Sequence, residues 1–273
     1  MVPINNIKVG ADPEMFIFDK QKSINRIIPC VGVLGGTKEK PIQLVKGLEG
    51  FLVQEDNVMA EFCIPPASTA AEFSGNIAHA IELISDQLKY MHCRVEIKAS
   101  HEFSFEDLNS EQAQRFGCDP DYNAYTLGMN SVSSDPTSGL RTAGGHLHIG
   151  YDNPNLDTSL EIIKRMDLFL GLPSIIMDKD KRRRMMYGKA GCFREKKYGV
   201  EYRTLSNFWI ADPVLSSWAF NNTILAIESL NKFNLSEADE RDIIDAINNQ
   251  DEKAAQILCE VFEVNVLDQY ILL

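Results

Sequence analysis

The chain has 273 residues, of which 44% are apolar and 24% are charged, and these proportions are typical of a globular protein. They exclude a disordered chain, a collagen-like chain and a small disulfide-rich protein. No run of about 18 apolar residues is present, so we expect no membrane span, and the first residues lack the pattern of a signal peptide. The net charge is −12. It argues against nucleic acid as a partner, because such binding depends on neutralising phosphates.

Six cysteines are spread along the chain without a Cys-x-x-Cys pair. This spacing favours reduced thiols over a disulfide framework or a structural zinc site, and it predicts a cytoplasmic protein. The cysteines are Cys30, Cys63, Cys93, Cys118, Cys192 and Cys259.

Short runs of alternating apolar residues, bounded by turn residues, predict five strands. In chain order they are Ile7–Phe18, Asn57–Ile64, Arg94–Ala99, Gly145–Tyr151 and Gly199–Leu205. Apolar residues at helical spacing predict helices over Ala70–Tyr90 and Leu156–Leu170, and we expect Gly171 to end the second helix.

Helices dominate the C-terminal quarter of the chain. Asp212 and Pro213 predict an N-cap and the first residue of a long helix. Ser236 and Asp239 predict the start of another helix, and a last one is expected over Asp251–Val261.

Strands and helices do not alternate regularly in this order. The pattern therefore predicts an α+β fold with a largely antiparallel sheet. No linker or repeat interrupts the chain, so we expect a single domain over residues 1–273, with a helical part over about 212–273.

Three predicted strands carry two ionisable side chains one residue apart: Asp12 with Glu14, His146 with His148, and Glu201 with Arg203; a fourth strand carries Glu61. Residues i and i+2 of a strand point to the same face, roughly 7 Å apart. If these faces converge, the carboxylates repel one another unless cations offset their charge. Carboxylates with imidazole suit Mg²⁺ or Mn²⁺. A solvated face of an antiparallel sheet shows the same alternation and stays open as the alternative.

The runs around these pairs resemble the glutamine synthetase superfamily. Gly10–Asp19 resembles the first catalytic strand of glutamine synthetase, Arg141–Gly150 resembles the Gly-x-His-x-His strand, and Val200–Arg203 resembles the Glu-x-Arg strand. Met59–Pro66 resembles the Glu-then-Pro strand of glutamate–cysteine ligases. With Gln54–Phe62 and Phe116–Ala124, these runs are most similar to the phage-type COOH–NH2 ligase type 2 (amidoligase) family.

The resemblance implies a glutamine synthetase-like sheet, curved into a funnel and flanked by helices, with ATP entering at one end and the substrate at the other. It implies Mg²⁺ or Mn²⁺ ligands at Asp12, Glu14, Glu61, His146 and Glu201. Asp12 stands where the family usually has glutamate, which is one methylene longer, so its reach to a metal is in question.

The resemblance also implies roles for other residues. Arg203 would contact the transferred phosphoryl group and, with Glu14, carry the catalysis. His148 and Arg183 would lie near the nucleotide phosphates. Residues expected to face the substrate are Arg141, Glu55, Tyr122 and Asn123.

The activity that the resemblance implies is ATP-dependent joining of a carboxyl group to an amine through an acyl phosphate. The substrates would be small molecules or peptides that carry these groups. A homo-oligomer fits, because superfamily sites can lie near subunit contacts, and a phage protein would act in the host cytoplasm. Metals and an arginine supply the charge neutralisation that phosphoryl transfer requires.

Other segments and activities stay open. Gly32–Lys38 does not match a G-x-x-x-x-G-K-[ST] run and is expected to be a turn rather than a phosphate cradle. The basic run Lys181–Arg184 favours a solvated loop over phosphate binding by one or two of its arginines. The alternative functions are a metal-dependent hydrolase that uses the His146–His148 strand without nucleotide, and a non-catalytic relative that binds a nucleotide or an amino-acid-like ligand.

Overall fold

A computed structural model gives the fold of residues 4–114, 121–130 and 138–267. Its strands are short, and their pairing is antiparallel. They are β1 Lys8–Ala11, β2 Glu14–Asp19, β3 Arg26–Ile28, β4 Ile42–Gln43, β5 Leu52–Asp56, β6 Met59–Cys63, β7 Cys93–Glu96, β8 Ser100–Glu102, β9 Tyr122–Asn123, β10 Leu140–Thr142, β11 Leu147–Gly150, β12 Cys192–Lys196 and β13 Gly199–Tyr202.

The helices lie between and after these strands. They are α1 Ala70–Lys89, α2 Glu111–Gln114, α3 Leu156–Met166, α4 Leu172–Met177, α5 Arg183–Met186, α6 Pro213–Ser229, α7 Glu237–Asn249 and α8 Glu252–Val261. A π-helical segment over Asp167–Gly171 joins α3 to α4, and a 3₁₀ turn covers Asn207–Ile210.

Two sheets share the segment that contains β1 and β2. One sheet has the strand order β1-β11-β13-β12-β9, and the other contains β3, β2, β6, β5 and β4, with β7 also paired to β2. Pro13 separates β1 from β2, and its carbonyl accepts a hydrogen bond from the Phe62 N–H. Strand β11 therefore lies along one side of this segment and β6 along the other, which makes one curved antiparallel wall.

The two faces of the wall differ in character. Val9, Leu147, Val200 and Tyr202 alternate with the ionisable residues and are fully or almost fully buried. They belong to the main apolar core, which also contains residues of α1, α3, α4 and α6. The helices thus cover the apolar face and leave the ionisable face to line a site.

The predicted fold class is confirmed by this pairing, and the predicted helices are present at Ala70–Lys89, Pro213–Ser229, Glu237–Asn249 and Glu252–Val261. The capping box of Ser236 and Asp239 is present. The turn over 32–38 is confirmed as well. That residues 1–273 form one domain stays a prediction. No helix in the described ranges is both long and apolar enough to cross a bilayer.

Two segments differ most from the prediction, beyond shifts of a few residues at other element ends. The first predicted strand is two strands, because Pro13 interrupts the pairing between β1 and β2. Gly171 does not end a helix: its φ is −60°, and the Leu172 N–H bonds to the Asp167 carbonyl. The wider π-helical turn absorbs the glycine, and the chain continues into α4.

Candidate functional site

Backbone hydrogen bonds place Asp12 and Glu14 beside the strand that carries the histidines. The Asp12 N–H bonds to the His146 carbonyl (3.4 Å) and the Glu14 N–H to the Gly144 carbonyl (2.9 Å). Strand β11 pairs with β13 so that His148 is opposite Glu201. Three of the predicted ionisable pairs therefore lie side by side on one face.

Asp12, His146 and Glu201 form a first cluster. Each offers one ligand atom, and these atoms lie within 4.8 Å of one another. His146 Nδ1 is 3.4 Å from Asp12 Oδ1 and 3.7 Å from Glu201 Oε1. The shorter side chain of Asp12 therefore reaches the other members of the cluster.

Glu201 is fully buried and is surrounded by positively charged side chains. Lys196 Nζ lies 2.8 Å and Arg194 Nη1 3.4 Å from Glu201 Oε2, and Arg203 Nη1 contacts Oε1. Burial and Asp12 would raise the pKa of Glu201, but Arg203 and the histidines outweigh them and lower it to about 2. Burial would likewise raise the pKa of Asp12, but His148 and His146 hold it well below its usual value. Both carboxylates are thus ionised at neutral pH.

Glu14, Asp56 and Glu61 form a second cluster, whose oxygens also lie within 4.8 Å of one another. Glu14 Oε2 accepts the Gly144 N–H (2.5 Å), and Glu61 Oε2 accepts from Gln54 Nε2 (3.0 Å). Burial and Asp56 raise the pKa of Glu14 to about 7. Burial and the neighbouring carboxylates also raise the pKa of Glu61. This cluster carries the electrostatic strain that a cation would relieve.

Arg203 joins the first cluster to a loop residue. Its Nη1 lies 3.3 Å from His146 Nδ1, and its Nε donates to Asp121 Oδ2 (3.3 Å). Burial and Arg203 lower the pKa of His146. A neutral imidazole is the form that binds a metal.

His148 has a different surrounding from His146. Its Nε2 is 3.0 Å from Asp12 Oδ1, and its Nδ1 bonds to the Tyr198 hydroxyl. Burial would lower the pKa of His148, but Asp12 and Glu201 raise it.

Two clefts open on the site. The first, here called the arginine cleft, is lined by residues that include Glu14, Asp56, Asp121, Arg141, Arg183 and Arg203. The second, the Tyr198 cleft, is more apolar, and its lining includes Ile64, Pro66, Tyr151 and Tyr198 together with Asp12 and His148. The two clusters thus lie where the clefts approach each other.

The predicted residues Arg183 and Arg141 line the arginine cleft and are buried. Arg183 donates to the carbonyls of Thr204 (2.9 Å) and Arg203 (3.3 Å), while burial and Arg184 lower its pKa to about 10. In the basic run, only Lys181 and Arg182 are exposed. The preference for a solvated loop is therefore wrong for Arg183 and Arg184, because both fold under the 188–204 segment.

Three predicted substrate residues face elsewhere. Glu55 accepts backbone N–H groups of Gly32 (2.9 Å), Leu34 (2.9 Å) and Gly35 (2.7 Å), so its carboxylate is occupied. Asn123 Oδ1 accepts from the Tyr125 and Thr126 N–H groups and thereby builds a turn. Tyr122 is 44% exposed and packs against Phe193. None of the three lines either cleft.

Three residues of the site were not singled out by the sequence: Asp56, Asp121 and Tyr198. Asp56 is placed by the pairing of β5 with β6, in which Gln54 is opposite Glu61 and Asp56 shares that face. Asp121 lies in the 116–124 run that carried the resemblance, part of which, 116–120, falls outside the described residues. Tyr198 shows no sequence signal.

A sequence model of one family matches this chain. It is described as phage phiEco32-like COOH.NH2 ligase-type 2, and it matches residues 130–271, just over half of the chain. The chain belongs to this family. The family resemblance predicted from the motifs is thereby confirmed, and the matched range includes His146, His148, Glu201 and Arg203.

The family assignment stands beside two distant structural likenesses. The crystal structure of a novel glutamine synthase homologue is 14% identical, covers 97% of this chain and 69% of its own, and has a TM-score of 0.41. The cryo-EM structure of Plasmodium falciparum glutamine synthetase is 9% identical, covers 83% of this chain and 52% of its own, and has a TM-score of 0.44. A comparison with curated protein sequences gives no match.

Proposed function

We propose that this carboxylate–amine ligase is ATP-dependent and forms its amide or peptide bond through an acyl phosphate. The observation that carries the proposal is the placement of two clusters of potential metal ligands, together with Arg203, beside two clefts of different character. One cleft can hold the nucleotide and the other the carboxylate and the amine.

The donor sets fit Mg²⁺ or Mn²⁺. Carboxylate oxygens and one neutral imidazole are the ligands that these ions take, and no cysteine stands in either cluster. Asp12, His146 and Glu201 would hold one ion, and Glu14, Asp56 and Glu61 another. Bound there, the ions would neutralise the phosphate charge that develops during transfer.

The Tyr198 cleft is the proposed nucleotide site. Apolar and aromatic side chains with a few polar groups are typical of small-ligand sites, and Ile64, Pro66, Tyr151 and Tyr198 supply them. His148 lines this cleft next to Asp12, where the phosphates would meet the first cluster. The arginine cleft then takes the carboxylate substrate, with Arg141 and Arg183 in its wall.

The chemistry has two steps. A substrate carboxylate oxygen attacks the γ-phosphorus of ATP, the bond to the bridging oxygen breaks, and ADP leaves. The amine nitrogen then attacks the acyl carbon, the carbon–oxygen bond to phosphate breaks, and the nitrogen loses a proton. Arg203 is placed to hold the transferred phosphoryl oxygens in both steps, because its guanidinium borders the first cluster and the arginine cleft.

The alternatives fit these residues less well. A hydrolase that uses the histidine strand needs only one metal cluster, and it leaves Arg203 and the Tyr198 cleft without a role. Substrates are proposed to be small molecules or peptides, with neither nucleic acid nor membrane as a partner. A bacterial host cytoplasm is the proposed location.

The test is metal-dependent activation of carboxylates. Purified protein is incubated with ATP, Mg²⁺ or Mn²⁺ and a panel of amino acids and peptides, with hydroxylamine as a general amine. We expect hydroxamate and ADP to form in equal amounts with at least one carboxylate, and Glu14→Gln to stop both. Metal-dependent hydrolysis of a substrate without ATP would instead support the hydrolase.

A further inference from the structure

A buried carboxylate lies behind the site, on the face of the wall opposite the clusters. Asp167 is fully buried and begins the π-helical segment between α3 and α4. Its Oδ1 accepts from the hydroxyls of Tyr202 (2.8 Å) and Thr204 (3.3 Å). Its Oδ2 accepts from the Tyr125 hydroxyl (3.1 Å) and the Gly191 N–H (2.5 Å). One side chain therefore binds four separate points of the chain.

These four donors are neutral groups. No lysine or arginine in the described ranges forms an ion pair with Asp167 within 4 Å. A buried charge without a cation is costly unless hydrogen bonds satisfy it fully. Asp167 is instead held by its hydrogen bonds, and it is the shared acceptor that fixes these donors in place, since its loss would leave buried N–H and O–H groups without an acceptor.

Each donor adjoins a segment that carries a residue of the site. Tyr202 stands between Glu201 and Arg203, and its side chain points to the opposite face. Thr204 follows Arg203, and its carbonyl accepts from Arg183.

The other two donors lie on neighbouring segments. Gly191 directly precedes β12, which carries Arg194 and Lys196 beside Glu201. Tyr125 follows Asp121 in the same loop. The four hydrogen bonds thus go to β13, to the residues that flank β12 and β13, and to the loop after β9, all of which adjoin Glu201 or Arg203. None goes to β2, β5 or β6, which carry the second cluster.

We propose that Asp167 is a positioning residue that sets the place of Glu201 and Arg203 by holding β12, β13 and the Asp121 loop from behind. This proposal shares one premise with the proposed ligase function, namely that the first cluster binds a cation. Asp167 belongs to neither cluster and lines neither cleft. Its π-helical setting fits this role, because π-turns occur frequently at functional sites.

The experiment uses Mn²⁺ alone as the probe, measured by electron paramagnetic resonance on full-length protein. We expect the wild type to bind two ions, with Glu14→Gln identifying the ion of the second cluster. In Asp167→Asn, the Gly191 N–H or a hydroxyl loses its acceptor, so Mn²⁺ affinity of the first cluster should fall about 3- to 10-fold, at or below the range for groups that orient metal ligands. Affinity of the second cluster should not change.

The control is Asp19→Asn. Asp19 is also a buried carboxylate, but it lies at the far end of β2 and accepts the Gln21 N–H. General damage from losing a buried carboxylate would weaken both clusters, or would appear equally in this control. Either result, or unchanged affinity in Asp167→Asn, overturns the positioning role.

Tyr202→Phe and Tyr125→Phe keep the proposal testable if Asp167→Asn does not fold. Each removes one hydroxyl and leaves the carboxylate in place. We expect Tyr202→Phe to lower the Mn²⁺ affinity of the first cluster and not that of the second, because Tyr202 adjoins Glu201. Equal Mn²⁺ binding in both variants and wild type would contradict the proposal. A wild type that binds Mn²⁺ but never activates a carboxylate contradicts the ligase function and leaves the positioning role intact.

Discussion

Glu14 and Glu61 are direct partners in the pairing of β2 with β6, so two carboxylates face each other across the strands. Asp56 completes the group from β5. Burial and the like charges raise the pKa of both glutamates, and that of Glu14 to about 7. The pair therefore holds protons at a pH where ordinary glutamates are ionised.

This arrangement predicts a pH dependence of stability in metal-free protein. Glu14 loses its proton near pH 4.5 in the unfolded chain and near pH 7 in the folded one. The folded state holds more protons in between, so the free energy of unfolding should fall as pH rises through this window. The Glu14 contribution is on the order of 3 kcal/mol at most.

Glu14→Gln isolates this effect, because glutamine mimics the protonated acid and can still accept the Gly144 N–H. With a chelator present, the melting temperature of the wild type should fall relative to that of Glu14→Gln as the pH is raised from 5.5 to 8. Adding Mn²⁺ at pH 8 should restore the wild type and leave the variant unchanged. If the melting temperatures of wild type and Glu14→Gln changed with pH in parallel, with and without metal, the second cluster would not be a cation site.

Asp56 and Glu55 offer a matched pair of variants. Asp56 belongs to the second cluster, whereas Glu55 holds the loop at Gly32, Leu34 and Gly35. Asp56→Asn should weaken Mn²⁺ binding by about 10-fold or more, since it removes a charged ligand. Glu55→Gln should leave Mn²⁺ affinity within about 2-fold and lower the melting temperature, because backbone amides lose a charged acceptor. The reverse outcome would place Glu55, rather than Asp56, beside Glu14 and Glu61.

Tyr198→Phe tests the Tyr198 cleft. The hydroxyl bonds to His148 Nδ1, which directs Nε2 towards Asp12. Without the hydroxyl the imidazole can rotate, and we expect affinity for an ATP analogue with Mg²⁺ to fall about 3- to 10-fold, at or below the range for groups that orient metal ligands. Tyr122→Phe is the control, since Tyr122 lies outside both clefts. Equal affinity in all three proteins would place the nucleotide elsewhere.

Arg203 is expected to act on the transition state rather than on ground-state binding. Arg203→Ala should slow hydroxamate formation by about 10³-fold, the lower range for arginines that stabilise phosphoryl transfer. Arg203→Lys should recover little, because a lysine cannot reach Glu201, His146 and Asp121 with one planar group. Nucleotide affinity should stay close to wild type, since Arg203 lines only the arginine cleft. Turnover at the wild-type rate in Arg203→Ala would remove Arg203 from the mechanism.

Strand periodicity was enough to predict which of the paired residues share a face. His146 and His148, or Glu201 and Arg203, stand two apart in strands whose intervening residues are apolar, so their direction follows from the pleat alone. Helix starts were equally local, because Asp212 and Ser236 cap the next turn with their own side chains.

Contacts between distant segments could not be predicted in this way. Asp121 meets Arg203 across 82 positions of the chain, and Tyr198 meets His148 through a hairpin whose direction depends on the pairing of β12 with β13. For Glu55 and Asp56, a shift of one residue exchanges the two faces. The register that decides between them is set by the pairing of β5 with β6 and is not visible in the alternation of either strand.

Calorimetric titration with a non-hydrolysable ATP analogue tests the central claim most directly. The titration compares wild type with Mg²⁺ or Mn²⁺, wild type with a chelator, Glu14→Gln with metal, and Glu55→Gln with metal as the neighbouring-face control. We predict binding that requires the metal in wild type and Glu55→Gln and that is weakened in Glu14→Gln, which keeps only the ion of the first cluster. Absence of binding in the metal-loaded wild type, or equal binding with the chelator, would contradict the proposed ATP-dependent ligase site.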